Sequence, residues 1–197
     1  MQLEAISRRS FLRIGAVVSA TTTAVVLGGY SWFSDNEDKN YATNFGTLLV
    51  FNQQQATTLF AYAEAILPEG DGFPDANTAR VVQRLDEEVY FTTKKIASDM
   101  KSVLDAMEYL PVFYGKMSRF SKMSKVDRLN FLQGLRDTKN ETVKAVVNNC
   151  RLVVFNMYYG HESTWAAIGY DGTFTKMPEI MGEQRKYYAK QVEGKII

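Results

Sequence analysis

The sequence predicts an all-α domain: an irregular multi-helix bundle of about five to six helices, preceded by an N-terminal signal or anchor segment. Three observations carry this reading. Apolar residues recur at helical spacing in one segment after another. Strand-type alternation is nearly absent, confined to Thr47–Phe51, which reads as a short extended lead-in. Capping residues stand in front of the apolar runs and prolines stand near their ends. The 197 residues, 46% of them apolar and 13% aromatic, are enough for one domain with a sizeable core and argue against disorder. Residues 1–34 form the leader, residues 35–44 a polar linker containing Asp35, Asn36, Glu37, Asp38, Lys39 and Asn40, and residues 45–197 the helical domain.

Each helix has its own justification. Ala56, Leu59, Phe60, Ala63, Ile66 and Leu67 fall on one face of a first helix, which Pro68 ends. After the turn-rich stretch 69–74, Asp75 or Asn77 can cap a second helix whose face is Val81, Val82, Leu85 and Val89. A third face runs through Ile96, Met100, Val103, Leu104 and Met107, with Pro111 kinking or ending it. Ser124 stands three residues before Asp127, the spacing of a capping box, with Leu129, Leu132 and Leu135 behind it. The longest pattern extends from about Thr142 to Tyr159 through Val143, Val146, Val147, Cys150, Val153, Val154 and Met157, and is expected to be the central buried helix. Pro178 suits the first position of a last helix reaching toward Val192.

Charge and rare residues exclude several functions. Lys plus Arg number 23 against 22 Asp plus Glu, so no basic footprint for a nucleic acid exists and none is expected as a partner. Cys150 is the only cysteine and His161 the only histidine. An internal disulfide, a Cys-x-x-Cys pair, a cysteine-rich zinc site and a multi-histidine metal centre are therefore all excluded. Gly70 and Gly72 lack the third glycine of a dinucleotide fingerprint, and no phosphate-binding loop, nucleophile elbow, His-Glu-x-x-His or haem-attachment motif is present. No cofactor or metal is expected in this chain, and no catalytic residue is assigned. Glu87 and Glu88 are adjacent and do not face each other, while Glu64 lies opposite the apolar stripe, so these carboxylates read as solvated. Met100, Met107 and Met157 read as core filler rather than haem ligands.

The leader contains Ser7-Arg8-Arg9-Ser10-Phe11-Leu12-Arg13, followed by Ile14 to Phe33 without a charge and diluted by Ser19 and Thr21 to Thr23. It resembles a twin-arginine export signal, with Arg8, Arg9, Phe11 and Leu12 as its carrying residues. The resemblance implies a twin-arginine translocase as partner, a periplasmic destination and a cargo that folds before it crosses. The uncharged run of about twenty residues is just long enough to span a bilayer. Gly29-Tyr30-Ser31 offers small residues for cleavage, so a removed signal and a retained anchor both stay open.

The most distinctive segment is Phe155-Asn156-Met157-Tyr158-Tyr159-Gly160-His161-Glu162-Ser163-Thr164-Trp165-Ala166-Ala167-Ile168-Gly169-Tyr170-Asp171-Gly172. It resembles the terminal signature of the gluconate 2-dehydrogenase subunit 3 family, in which a helix ends at a Tyr and His pair, a Trp follows, and a Gly-Tyr-x-Gly turn comes next. Ala63-Glu64-Ala65-Ile66-Leu67-Pro68 and Phe120-Ser121-Lys122-Met123-Ser124 extend the resemblance, which spreads over about residues 52–172. Glu162 and Asp171 stand where the family often has proline, but Gly169 and Gly172 still permit the turn.

The resemblance implies a non-catalytic small subunit of a sugar or alcohol dehydrogenase complex. Its partner would be a large subunit of the glucose-methanol-choline type carrying FAD, with or without a cytochrome c subunit carrying haem c. Tyr159, His161, Trp165 and Tyr170 are the candidate partner-binding residues. Trp165 and Tyr170 can either fold back to close the core or stand out as aromatic anchors. His161 reads as a hydrogen-bonded helix terminator favoured by the negative end of the helix dipole. Two other functions remain: a membrane-tethered periplasmic binding protein, or an independent redox protein with a cofactor in its helical core.

Overall fold

The computed structural model describes residues 45–68, 70–172 and 182–195. The leader, the linker and Pro178 lie outside the described residues. Within them the domain is all-α, with seven α-helices, one short 3-10 turn and no strand. Helices α1 (Gln53–Ile66), α2 (Val81–Tyr90), α3 (Lys94–Phe113), α4 (Lys125–Gly134), α5 (Glu141–Tyr159), α6 (Glu162–Trp165) and α7 (Glu183–Gly194) follow in order, with the 3-10 turn at Phe120–Lys122. That is one or two helices more than the apolar periodicity predicts, because α6 is too short to show a period.

The first helix begins with a reciprocal cap. The Asn52 side chain accepts the Gln55 N–H at 2.8 Å, and Gln55 Oε1 accepts the Asn52 N–H at 3.2 Å, satisfying two donors that the first turn leaves unpaired. Leu67 is already extended, as a residue before proline should be.

Helix α1 is buried almost all round, through Ala56, Leu59, Ala61 and Ala63 but also through Gln55, Thr58 and Tyr62. It packs against α2, α3, α4, α5 and the 3-10 turn. It is therefore the central helix, and the expectation that the longer 142–159 pattern holds that place is corrected. Helix α5 buries a single stripe, Val143, Val146, Cys150, Val154 and Tyr158. The reason is polar pairing, to which hydrophobic periodicity is blind. Gln55 reaches Asp105 at 3.1 Å, Thr58 Oγ1 donates to Glu108 Oε2 at 2.9 Å, and the Tyr62 hydroxyl donates to the Val147 carbonyl at 2.8 Å.

The lead-in at 47–51 is not a strand. Its backbone instead converges on one carboxylate of α2: Asp86, fully buried, accepts the N–H groups of Leu49 at 2.8 Å, Val50 at 3.0 Å and Phe51 at 2.8 Å. It also accepts the Tyr188 hydroxyl of α7 at 2.6 Å. Asp75 accepts the Thr78 N–H at 2.6 Å and so caps the turn before α2 rather than α2 itself, whose N-cap is Arg80 in the left-handed region at φ +50°.

Full burial along α3 starts at Val103; Ala97 and Met100 pack partly buried against the core, while Ile96, placed on the apolar face by its spacing, is exposed. Pro111 sits in the last turn, and the helix ends two residues later. In α4 the capping hydroxyl of Ser124 accepts the Asp127 N–H at 3.1 Å. The buried face behind it is Arg128, Phe131, Leu132 and Leu135, while Leu129 turns outward. Arg128 is buried, and its guanidinium reaches Glu64 Oε2 at 3.2 Å. Glu64, its side chain 32% exposed, is thus partly solvated as expected but also serves as counter-ion of an interior cation, since a buried charge requires a partner. Glu108 is buried as well, and accepts from the Ser121 N–H at 3.0 Å and the Ser121 hydroxyl at 2.7 Å. In α5 the Cys150 thiol is sealed in the core, where burial pushes its pKa up to about 12. Met107 is fully buried and Met157 packs against the core's edge, as filler should.

Candidate functional site

The signature region lies where α5 ends. The last turn of a helix leaves carbonyls without intrahelical donors and carries the negative end of the dipole. Arg84, from α2, meets both demands: its guanidinium donates to the Met157 carbonyl and, at 3.3 Å, to the Gly160 carbonyl. Partial burial lowers the Arg84 pKa from its ordinary value, with Arg185 acting in the same sense. Gly160 is required here, since a Cβ would lie 2.7 Å from the Asn156 carbonyl oxygen.

His161 follows at once, and its role differs from the expectation. Its N–H donates to the Tyr158 carbonyl at 3.0 Å, but its ring begins the next helix. Nδ1 accepts the Ser163 N–H at 3.3 Å and lies 2.7 Å from the Ser163 hydroxyl, making His161 the N-cap of α6. Burial, then the neighbouring Arg84, holds its pKa below the usual histidine value; Arg80 and Arg185 act in the same direction and Glu162 opposes them. An accepting, unprotonated imidazole cannot be the cation at the helix end, and Arg84 occupies that role.

After α6 the chain closes in a Schellman motif. Gly169 is left-handed at φ +68°, its N–H donates to the Ala166 carbonyl at 3.2 Å, and the Tyr170 N–H donates to the Trp165 carbonyl at 2.9 Å. This turn brings the Trp165 and Tyr170 rings edge to face, with centroids 5.2 Å apart and planes at 86°. Trp165 is half-buried, Tyr170 is 41% exposed and Ile168 beside them is 44% exposed. Of the two roles open to these rings, closing the core is not the one they take. Tyr158 and Thr164 do that: both are fully buried, the Tyr158 hydroxyl donates to the Pro74 carbonyl at 2.6 Å, and Thr164 Oγ1 donates to the His161 carbonyl at 2.7 Å. Tyr159 packs half-buried at the core's edge, against Tyr158 at 5.1 Å and Phe155 at 5.7 Å.

Of the predicted partner-binding residues, the fold thus joins Trp165 to Tyr170 and sets Tyr159 at the end of α5 and His161 at the start of α6. Arg8, Arg9, Phe11 and Leu12 lie outside the described residues. Sequence reasoning missed Arg84, because with Glu88 four residues on it reads as half of an ordinary surface pair. Its true partners are carbonyls more than seventy residues away.

Among the described residues no group of three His, Cys, Asp or Glu side chains could hold a metal ion, and no helix is long and apolar enough to cross a membrane. A surface groove of about 790 Å³ lies between the 114–118 loop and α4, and none of residues 155–172 lines it. Comparison with protein-family models, with curated proteins and with solved structures found no match to this chain.

Proposed function

We propose that this chain is the non-catalytic small subunit of an FAD-dependent dehydrogenase of the glucose-methanol-choline type, which it binds, helps to assemble and carries into the periplasm through its twin-arginine signal. The FAD belongs to the large subunit, and any haem c to a third. The observation that supports this reading is the aromatic hook after α5: Ile168 and Tyr170 are exposed, and Tyr170 stacks edge to face on the half-buried Trp165, on a turn closed by its own backbone hydrogen bonds. Aromatic side chains held rigidly on a closed turn are the kind of group that dominates protein–protein affinity. The leader supplies the second part, since a signal for prefolded cargo on a chain without a cofactor motif makes sense when the passenger is another protein.

Affinity purification of the tagged full chain from its own cells tests this. A flavin-coloured protein of dehydrogenase size is expected to accompany it, and Trp165→Ala with Tyr170→Ala to lower its recovery by about tenfold or more. Arg8→Lys with Arg9→Lys is expected to strand both proteins in the cytoplasm. A chain that purifies alone and oxidises substrate unaided, or a flavoprotein still exported without it, overturns the reading.

A further inference from the structure

A second surface stands apart from the signature turn. A groove of about 460 Å³ lies between α4 and α5 over the flank of α1, with Ile66, Leu132 and Val147 among its apolar residues and Arg136, Lys144 and Arg151 among its polar ones. Among the described residues no carboxylate lines it. The Tyr62 hydroxyl, also at the groove, is committed to the Val147 carbonyl, so this part of the lining offers apolar contact rather than a free hydroxyl.

The cations are available to a partner. Among the described residues Lys144 pairs with Glu141, at 3.0 Å in an exposed pair of the kind that contributes little, and Arg151 holds the neutral Asn148 side chain at 3.0 Å. Lys144, Val147 and Arg151 follow the i, i+3, i+7 spacing of a single face of α5. Two positive charges therefore stand about 10 Å apart along the helix axis with an apolar residue between them. The complement is a helix with two carboxylates two turns apart and a Leu-sized side chain midway. A concave site with apolar residues between two helices suits an inserted side chain better than it suits a bilayer, which an amphipathic surface meets along an open face.

From this register of charge and apolar surface we infer that the groove between α4 and α5 docks an acidic amphipathic helical segment of a partner protein. The inference goes beyond the small-subunit reading and stands without it, since none of its residues belongs to the signature turn. The probe is a fluorescent, helix-stabilised peptide with two glutamates two turns apart flanking a leucine, titrated against the purified full chain by polarisation. Saturable binding that weakens with salt is expected, together with a loss of about tenfold in affinity for Lys144→Glu with Arg151→Glu. Lys144→Ala with Arg151→Ala is expected to give a smaller loss in the same direction, which keeps the result readable if the charge reversal disturbs folding; circular dichroism melts report that. The inference fails if the same peptide with lysines in place of the glutamates binds equally, if neither variant changes affinity, or if the chain binds only phosphatidylglycerol vesicles or only a second copy of itself through these residues.

Discussion

At the scale of single residues, the interior of this domain is organised by polar groups that hydrophobic patterning does not reveal. Asp86 gathers three backbone N–H groups of the lead-in and one tyrosine hydroxyl on a carboxylate that water does not reach. Removing it strands those donors, and each buried unpaired donor costs about 1–3 kcal/mol. Asp86→Ala is therefore expected to destabilise the domain by about 3 kcal/mol or more in urea unfolding, well beyond a surface substitution. His161 gives a test with a sign. Its folded pKa lies below its ordinary value of 6.5, through burial first and Arg84 next. Above that value the ring is neutral in both states. As pH falls through the ordinary value toward the folded one, the unfolded chain takes up the proton first, and stability is lost. Asn is a good N-cap and does not titrate. The fall in urea midpoint between about pH 7.5 and about pH 5 should thus be smaller for His161→Asn than for the unaltered chain. None of these anchoring roles could be read from the sequence, because Asp86, Arg84, Glu64 and Arg128 each find their meaning in partners that only the folded chain brings near.

Helices were legible where local chemistry decides them. The periodic faces in α1, α2 and α5 and the Ser124 cap of α4 are properties of neighbouring residues, and they stand where spacing put them. What spacing misplaced was rank. Helix α1 carries Gln55, Thr58 and Tyr62 on what looks like a polar flank, and all three are buried because α3 and α5 supply their partners. Its capping box consequently matters to the whole core. Asn52→Ala is expected to lower stability by about 1 kcal/mol, measured as a shift in urea midpoint at unchanged slope, and Asn52→Asp to restore most of it. The signature segment was legible as a turn from its glycines. That Tyr170 is exposed and stacked on a half-buried Trp165 was not, since the two rings satisfy either role by composition.

Taken as a whole, the domain is unevenly held. Helix α1 sits inside a shell of other helices, whereas α7 buries no residue and is attached by a few polar and ring contacts. Tyr188 donates to Asp86 and packs its ring on Tyr90 at 5.6 Å, Lys195 Nζ donates to the Leu48 carbonyl at 2.7 Å, and Arg185 lies 3.5 Å from Glu87. Amides of α7 are therefore expected to exchange with solvent much faster than those of α1, by hydrogen exchange read residue by residue. Tyr188→Phe should speed α7 further while shifting the global midpoint by only about 1 kcal/mol, and equal protection of the two helices would contradict this uneven attachment. The single thiol of the chain, in α5, has a bearing on the molecule's chemical durability. Because Cys150 lies inside the core and its thiolate is disfavoured, thiol-directed oxidants and alkylating agents do not reach the protein's single thiol on an intact molecule. In an oxidising compartment, covalent cross-linking of one copy to another would begin only with chains that had first come apart.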